Sequence, residues 1–508
     1  MGDARTTFRS ALWNHAGKIL EYMLMYLMSV LIARGLGVQE NGVFVGLFSV
    51  SQFLLVFMSF GLEVSLNKHV PQLEGEARME RLRFLLRGAL AIRATAVLVL
   101  AAVLYGSMLL FEGLLSHTLS SFLWLLLAYT GVRSIVSLLS VVLTAELQTR
   151  AIAAINVLTR GIEVAVIGLM VSGGMTTSRV FVVILSTAIF QLACYIVAAR
   201  TRLFGKTVRV AVLPIMLFGG VYWINTAVEY FLGRQGDVLF LTMLLPDSSQ
   251  ASLYDVAFAV SQLASLSMTI GLGGITLATF AKLALRGIEP VERFYAFMIR
   301  VKSLLSIPLY AFTLFNAGSV LFVLYSPRYL AASGLVQAIA AFRIVSRLFG
   351  GPENAEFLLS RGQVTKLVAI GAVGALVNVC LDLLLIPRLG AFGAVMGSGL
   401  GNLMANVLGG AAVYRTSAAR IQWQFWLKVS MATSAASFVV AALTPPLTVL
   451  FILMQAVVYI LLVIGLLFFV KPLTTMDYEW LVRIDNRFAS PLRLFVRQDP
   501  MILDPKRP

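Results

Sequence analysis

Residues 447–470 read LTVLFILMQAVVYILLVIGLLFFV, a run without one charged side chain. As a helix rising 1.5 Å per residue such a run is about 36 Å long, and crossing the hydrocarbon layer of a bilayer takes about 30 Å. In that layer every backbone N–H and C=O must find its partner inside the segment, so the run is a membrane-spanning helix.

Moving outward from it, thirteen further apolar windows are separated by charge or turn residues, near 12–33, 41–62, 88–111, 119–143, 152–172, 180–199, 211–232, 252–277, 298–323, 329–349, 364–386, 390–413 and 424–443. The composition agrees: 59% of the 508 residues are apolar and 13% are charged, against about 25% charged in soluble proteins. The expected class is therefore all-α, a polytopic membrane protein of about 14 transmembrane helices. The first window follows Arg5 and Arg9 as a secretory signal would, but it is long and lacks a small-residue cleavage site, so it is expected to stay as the first helix. The seventh is ambiguous. Apolar sequence resumes at Val238 after Gly233-Arg234-Gln235-Gly236-Asp237, and one continuous helix from Pro214 to Leu245 would bring Arg234 and Asp237 into the membrane.

The net charge of +16 has a topological explanation rather than a nucleic-acid one. If the windows alternate across the bilayer, 31 of the 40 Lys and Arg fall on the side of the N-terminus and five on the other. Positive residues accumulate in cytoplasmic loops, which predicts a multi-pass cell-membrane protein with both ends in the cytoplasm. Lys302, Arg343 and Arg347 are counted among these loop cations.

A shift of 210 residues superimposes Phe48-Ser49-Val50-Ser51-Gln52 on Phe258-Ala259-Val260-Ser261-Gln262, and places Arg133 over Arg343. Equivalent helices six apart share an orientation, so the shift implies two parallel six-helix lobes, 1–210 (helices 1–6) and 211–413 (helices 7–12). Two extra helices then occupy 414–470. A basic amphipathic cytoplasmic tail, 471–508, has the pattern of a segment lying on the anionic leaflet.

Catalytic signatures are missing. Gly205-Lys206-Thr207 imitates the end of a phosphate-binding loop, but Arg200 stands where that loop needs its first glycine. The three histidines are scattered, so no metal site and no cofactor is expected. Cys194 and Cys380 lie within apolar spans and read as buried, inert thiols. A glycosyltransferase or polymerase would need an exposed catalytic loop, and the largest outer loop, near 233–251, holds only Asp237 and Asp247 as acids.

Intramembrane polar residues carry more information, because a charge at the bilayer centre is costly and tends to face a cavity or a partner. Lys18 and Glu21 fall on one face of the first helix at i and i+3. Arg160 and Glu163 do the same in the fifth, beside Asn156, while Arg133 lies deep in the fourth. The remaining candidates are Asn225, Glu229, Arg234, Asp237 and Asp255. Arg93 and Arg343 sit near helix ends and read as snorkelling or ion-paired side chains. Asn378, Asp382, Asn402 and Asn406 read as hydrogen-bonding glue between helices eleven and twelve.

Ala33-Arg34-Gly35-Leu36-Gly37 followed by Gly42-Val43-Phe44 resembles the motif after the first helix of the polysaccharide and lipid-linked oligosaccharide flippases of the multidrug/oligosaccharidyl-lipid/polysaccharide exporter superfamily. Val377-Asn378 with the stretch from Asp382 through Pro387 and Gly393 to Ala394 resembles a second motif, and Asp237 with Tyr254 a third. Asp382 departs from the pattern, standing where the family usually has Asn; Ser326 stands where Gly is common. The resemblance implies fourteen helices in twin lobes and a flippase moving a polyprenyl-(pyro)phosphate-linked oligosaccharide from the inner to the outer leaflet. It also implies alternating access around a cationic cavity, with Arg133 and Arg160 on the phosphate. Expected partners are the lipid-linked glycan, the bilayer, a coupling ion (H⁺ or Na⁺), a polysaccharide polymerase and other assembly proteins; nucleic acid is not among them. Two alternatives stay open: an H⁺/Na⁺-coupled small-molecule or drug antiporter of the same superfamily, and a lipid II flippase.

Overall fold

The computed structural model of the protein describes residues 2–73, 75, 77–110, 117–146, 148–269, 273–442, 449–484 and 492–496. In chain order the helices are α1 (Gly2–Ser59), α2 (Leu62–His69), α3 (Arg78–Leu110), α4 (His117–Ala145), α5 (Thr149–Val171), α6 (Thr177–Leu203), α7 (Leu213–Leu232), α8 (Arg234–Leu244), α9 (Ser249–Thr269) and α10 (Gly273–Ala284). They continue as α11 (Ile288–Phe315), α12 (Ala317–Tyr325), α13 (Ser333–Ser346), α14 (Pro352–Ser360), α15 (Val364–Leu389), α16 (Ala391–Thr416), α17 (Trp423–Ala442), α18 (Val449–Val470) and α19 (Thr475–Ile484). Among the described residues the only extended pairing is a single bridge between Leu473 and Val496.

Among the described residues, twelve segments are long and apolar enough to cross a membrane. The first, Gly17–Ser59, is 43 residues long and holds both of the first two expected spans. They are not joined by a loop. α1 runs through, broken only at Gly37 with φ 75° and ψ 178°, a conformation that an L side chain rarely adopts. The eighth expected span, 252–277, is carried by α9 and α10 and is not one of the twelve. The ambiguous seventh resolves as neither one helix nor a loop: α7 stops at Gly233, and α8 starts at once with Arg234.

The chain divides into two compact units, Met1–Asp255 with Leu381–Ala394, and Val256–Cys380 with Val395–Pro508. In the first, α1 packs on α4, α5 and α8, and α4 on α6. Leu62, Leu66, Leu86, Leu138 and Leu139 are among the residues of an apolar cluster between α2, α3 and α4. α2 approaches α7 at backbone range. A Cβ on Gly61, whose φ is 65°, would lie 1.9 Å from the carbonyl oxygen of Gly219, and one on Gly219 would lie 2.6 Å from Ser65 Oγ. Ser65 Oγ in turn donates to the Ile215 carbonyl at 2.8 Å.

In the second unit α11 packs on α13 and α17, and α17 on α18. Two cations read as loop charges are interior: Lys302 is 3% exposed and Arg347 5%. They share Glu353, with Lys302 Nζ 3.2 Å from one oxygen and Arg347 Nη1 3.1 Å from the other, and Lys302 also reaches Glu356 at 3.3 Å. Arg347 Nε donates to Ser303 Oγ at 3.2 Å. The start of the tail packs in part on α11. Trp480 stacks against Phe297, and Asp477 pairs with Arg300 of α11 at 2.8 Å. Both cysteines are free, and Cys380 is exposed on α15 rather than buried, as fits a side of an apolar helix turned towards lipid.

Candidate functional site

α5 places Asn156, Arg160 and Glu163 at i, i+4 and i+7, one face of a helix. α6 answers with Thr187, Gln191 and Tyr195 at i, i+4 and i+8, and the two helices pack together. Between these faces, with Glu21 from α1 and Arg133 from α4, lies a polar network inside the first unit.

Arg133 Nη1 donates to Gln191 Oε1 at 2.6 Å. Gln191 Nε2 and Tyr195 OH both donate to Asn156 Oδ1, at 2.9 and 2.7 Å. Asn156 Nδ2 donates to Glu21 Oε2 at 3.2 Å. Two amides therefore connect the guanidinium of Arg133 to the carboxylate of Glu21. Arg160 pairs with Glu163 at 2.5 Å, and Glu163 takes a second bond from Thr187 at 2.7 Å. Glu163 is 3% exposed and Gln191 6%, so both depend on these partners in the absence of water.

The two arginines thus differ. Arg160 is neutralised by its own helix neighbour. Arg133 has no carboxylate within ion-pair distance among the described residues and a single hydrogen-bond acceptor, Gln191, for its five N–H donors. The electrostatic partner expected for Lys18 is also different: Glu21 accepts from Asn156, and among the described residues Lys18 and Glu21 form no ion pair. Lys18 is exposed.

Asn225 and Glu229 pair with each other at 2.8 Å along α7, on an exposed face. Arg234 pairs with Asp255 at 2.5 Å. Asp237, fully buried, accepts from the hydroxyl of Tyr254, so the two residues of the third motif touch. Asp382 is fully buried as well and lies beside Asp237. It therefore meets α8 as well as its own neighbours on α15. Among the described residues its two oxygens have no hydrogen-bond donor. A proton on either acid would supply one, and a small cation would offset the repulsion of two ionised carboxylates.

Arg93 does not snorkel. It is 1% exposed and pairs with Glu63 of α2, which also accepts from Ser137 Oγ of α4 at 3.2 Å. Glu63, Gln191, Thr187 and Tyr195 escaped the sequence reading. The signal available for the last three was their polar spacing of four along an otherwise apolar α6.

No family profile and no curated protein sequence matches the chain. Solved structures do. The lipid II flippase MurJ, in an inward closed conformation, superimposes with a TM-score of 0.73 at 13% identity, covering 90% of this chain and 98% of that one. The chain shares its fold with that protein. An inward-facing multidrug resistance MATE family transporter of the MOP superfamily gives 0.63 at 15% identity over 78% of this chain and 96% of the other. An outward-facing structure of such a MATE transporter gives 0.56 at 13% over 80% and 94%. The shared fold and the run of long apolar helices therefore agree.

Proposed function

We propose that the chain is a flippase that carries a polyprenyl-(pyro)phosphate-linked oligosaccharide from the inner to the outer leaflet for cell-surface polysaccharide, by alternating access, with both termini cytoplasmic and twin lobes at 1–210 and 211–413. The observation that carries the reading is Arg133. A guanidinium held in place by Gln191 and left without a carboxylate offers a planar fork of donors to a phosphate. Arg160, paired with Glu163, would tune the field beside it rather than bind. The relay through Gln191 and Asn156 to Glu21 fixes the fork before substrate arrives, which lowers the ordering cost of binding.

Asp237 and Asp382 support ion coupling. Two buried carboxylates side by side favour uptake of H⁺ or Na⁺, and releasing the ion on the other side would link its gradient to the transport cycle. A lipid II flippase is the second reading, favoured by the likeness to MurJ; its cargo has the same polyprenyl diphosphate chemistry, and Arg133 would serve it equally.

The test is chemical. In cells depleted of the chain, a polyprenyl-diphosphate-linked glycan should accumulate on the inner leaflet, and wild type but not Arg133→Ala should clear it. If the accumulating species is lipid II, the second reading replaces the first. If no lipid-linked glycan accumulates, both fail and the antiporter stands.

A further inference from the structure

The second unit contains a cavity that the transport reading does not use. It has a volume of about 440 Å³ and is lined by, among others, Arg300, Arg420, Gln422, Trp423, Lys428 and Lys471, with no acidic residue in its wall among the described residues. That size falls within the roughly 300–1,000 Å³ typical of small-ligand pockets. It lies at the ends of α17 and α18 where basic residues gather.

Its cations are not equivalent. Arg300 is committed: Asp477 holds it at 2.8 Å, and its Nη1 donates to Gln422 at 2.6 Å. Asp477 is committed too, accepting from the amide and hydroxyl of Thr474 at 2.8 and 2.7 Å. Arg420 donates only to the adjacent Ala419 carbonyl, at 3.0 Å. Lys428 and Lys471 have no ion-pair or hydrogen-bond partner for their side chains among the described residues. Three cations therefore converge without a counter-charge. Lys471 is also held at φ 43°, a left-handed conformation that costs a lysine free energy and that points to function where the surroundings enforce it.

The pocket opens beside lipid-facing surface. α17 exposes Met431 at 65% and α18 Phe469 at 81%. Trp423, 56% exposed, is a ring of the kind that settles at the level of headgroups.

We propose that this pocket binds the headgroup phosphate of an anionic phospholipid, with Arg420, Lys428 and Lys471 on the phosphate, Trp423 at its edge, and the acyl chains in the bilayer beside α17 and α18. The pocket shares no residue with the network of Arg133, and the proposal holds for either cargo.

The test uses the full chain purified in detergent, with native mass spectrometry counting bound lipid in titrations of phosphatidylglycerol and of phosphatidylcholine with the same acyl chains. Wild type should retain phosphatidylglycerol preferentially. The triple variant Arg420→Gln, Lys428→Gln, Lys471→Gln should weaken that retention about tenfold or more, since each cation near an anionic lipid contributes appreciably, and leave phosphatidylcholine unchanged. Should the triple variant misfold, Lys428→Gln alone, an exposed change, should lower retention about fivefold. Equal retention of the two lipids, or variants that hold phosphatidylglycerol as wild type does, would overturn the assignment. So would displacement of the lipid by millimolar inorganic phosphate, which would make the pocket a site for free phosphate.

Discussion

Two groups of interior charge, one in each unit, are built from the same residue types and finish differently. In the second unit Lys302 and Arg347 close on Glu353, with Glu356 and Ser303 completing the set. Two cations meet two carboxylates, and Glu353 has no exposed surface. In the first unit Arg160 closes on Glu163 in the same way, but Arg133 is oriented by an amide and keeps most of its donors unused. A closed set does the work of holding α11, α14 and the turn that follows α13 together. A set with an open guanidinium is poised for something that arrives.

The largest effect should come from breaking the closed set. Glu353→Ala leaves Arg347 buried without a counter-charge and Lys302 with Glu356 alone, at a cost of about 3–5 kcal/mol, so the variant should lose its monodisperse peak in detergent gel filtration. Arg133→Ala should do the opposite. Stability in the same assay should stay near wild type while clearance of the lipid-linked glycan falls about a hundredfold, the loss of one or two charge-assisted hydrogen bonds. Arg133→Lys should recover only part, because a point charge cannot reproduce the fork. If Arg133→Ala instead unfolds the protein and Glu353→Ala leaves it intact, the contrast between the two sets is wrong.

A third acidic arrangement sharpens the comparison. Asp382→Asn removes one of two adjacent carboxylates and gives the remaining one a donor, so the protein should fold at least as well. Glycan clearance should become insensitive to the ion gradient and fall by roughly 5- to 150-fold, the span of ordinary coupling energies. Clearance that still follows the gradient would remove Asp237 and Asp382 from the mechanism. The smallest effect belongs to Glu229→Gln. This residue faces outward and among the described residues bonds only to Asn225, four positions earlier on the same helix, and such pairs contribute about 0.5 kcal/mol or less. Thermal unfolding in detergent should not move measurably.

Helix positions were legible because the bilayer imposes a length and a polarity that apolar windows display directly. Breaks within apolar runs were less so. Gly37 and Gly233 both interrupt helices that otherwise read on, and whether a glycine bends, ends or merely sits in a helix depends on the backbone packed against it. Ion pairing was the least legible. Lys18 and Glu21 share a face in the sequence, yet Glu21 turns to Asn156, 135 residues away. Arg93 and Lys302 looked peripheral by position, and both are interior because Glu63, Glu353 and Glu356 come to them from other helices. Asp382 carried a visible sign, one acid in the apolar run Leu381–Ile386. Its neighbour Asp237 lies 145 positions away in the chain, and only the fold joins them.

The close approach of Gly61 and Gly219 suggests how kin of this chain can be sought when overall identity is low. Apolar positions facing lipid can exchange leucine for valine or phenylalanine freely, so they erase ancestry quickly. Two backbones meeting with no room for a methyl group cannot. A search profile weighted on a residue tolerant of positive φ at the position of Gly61, together with the smallest possible side chain at that of Gly219, should separate relatives that keep this helix crossing from unrelated apolar proteins of similar composition.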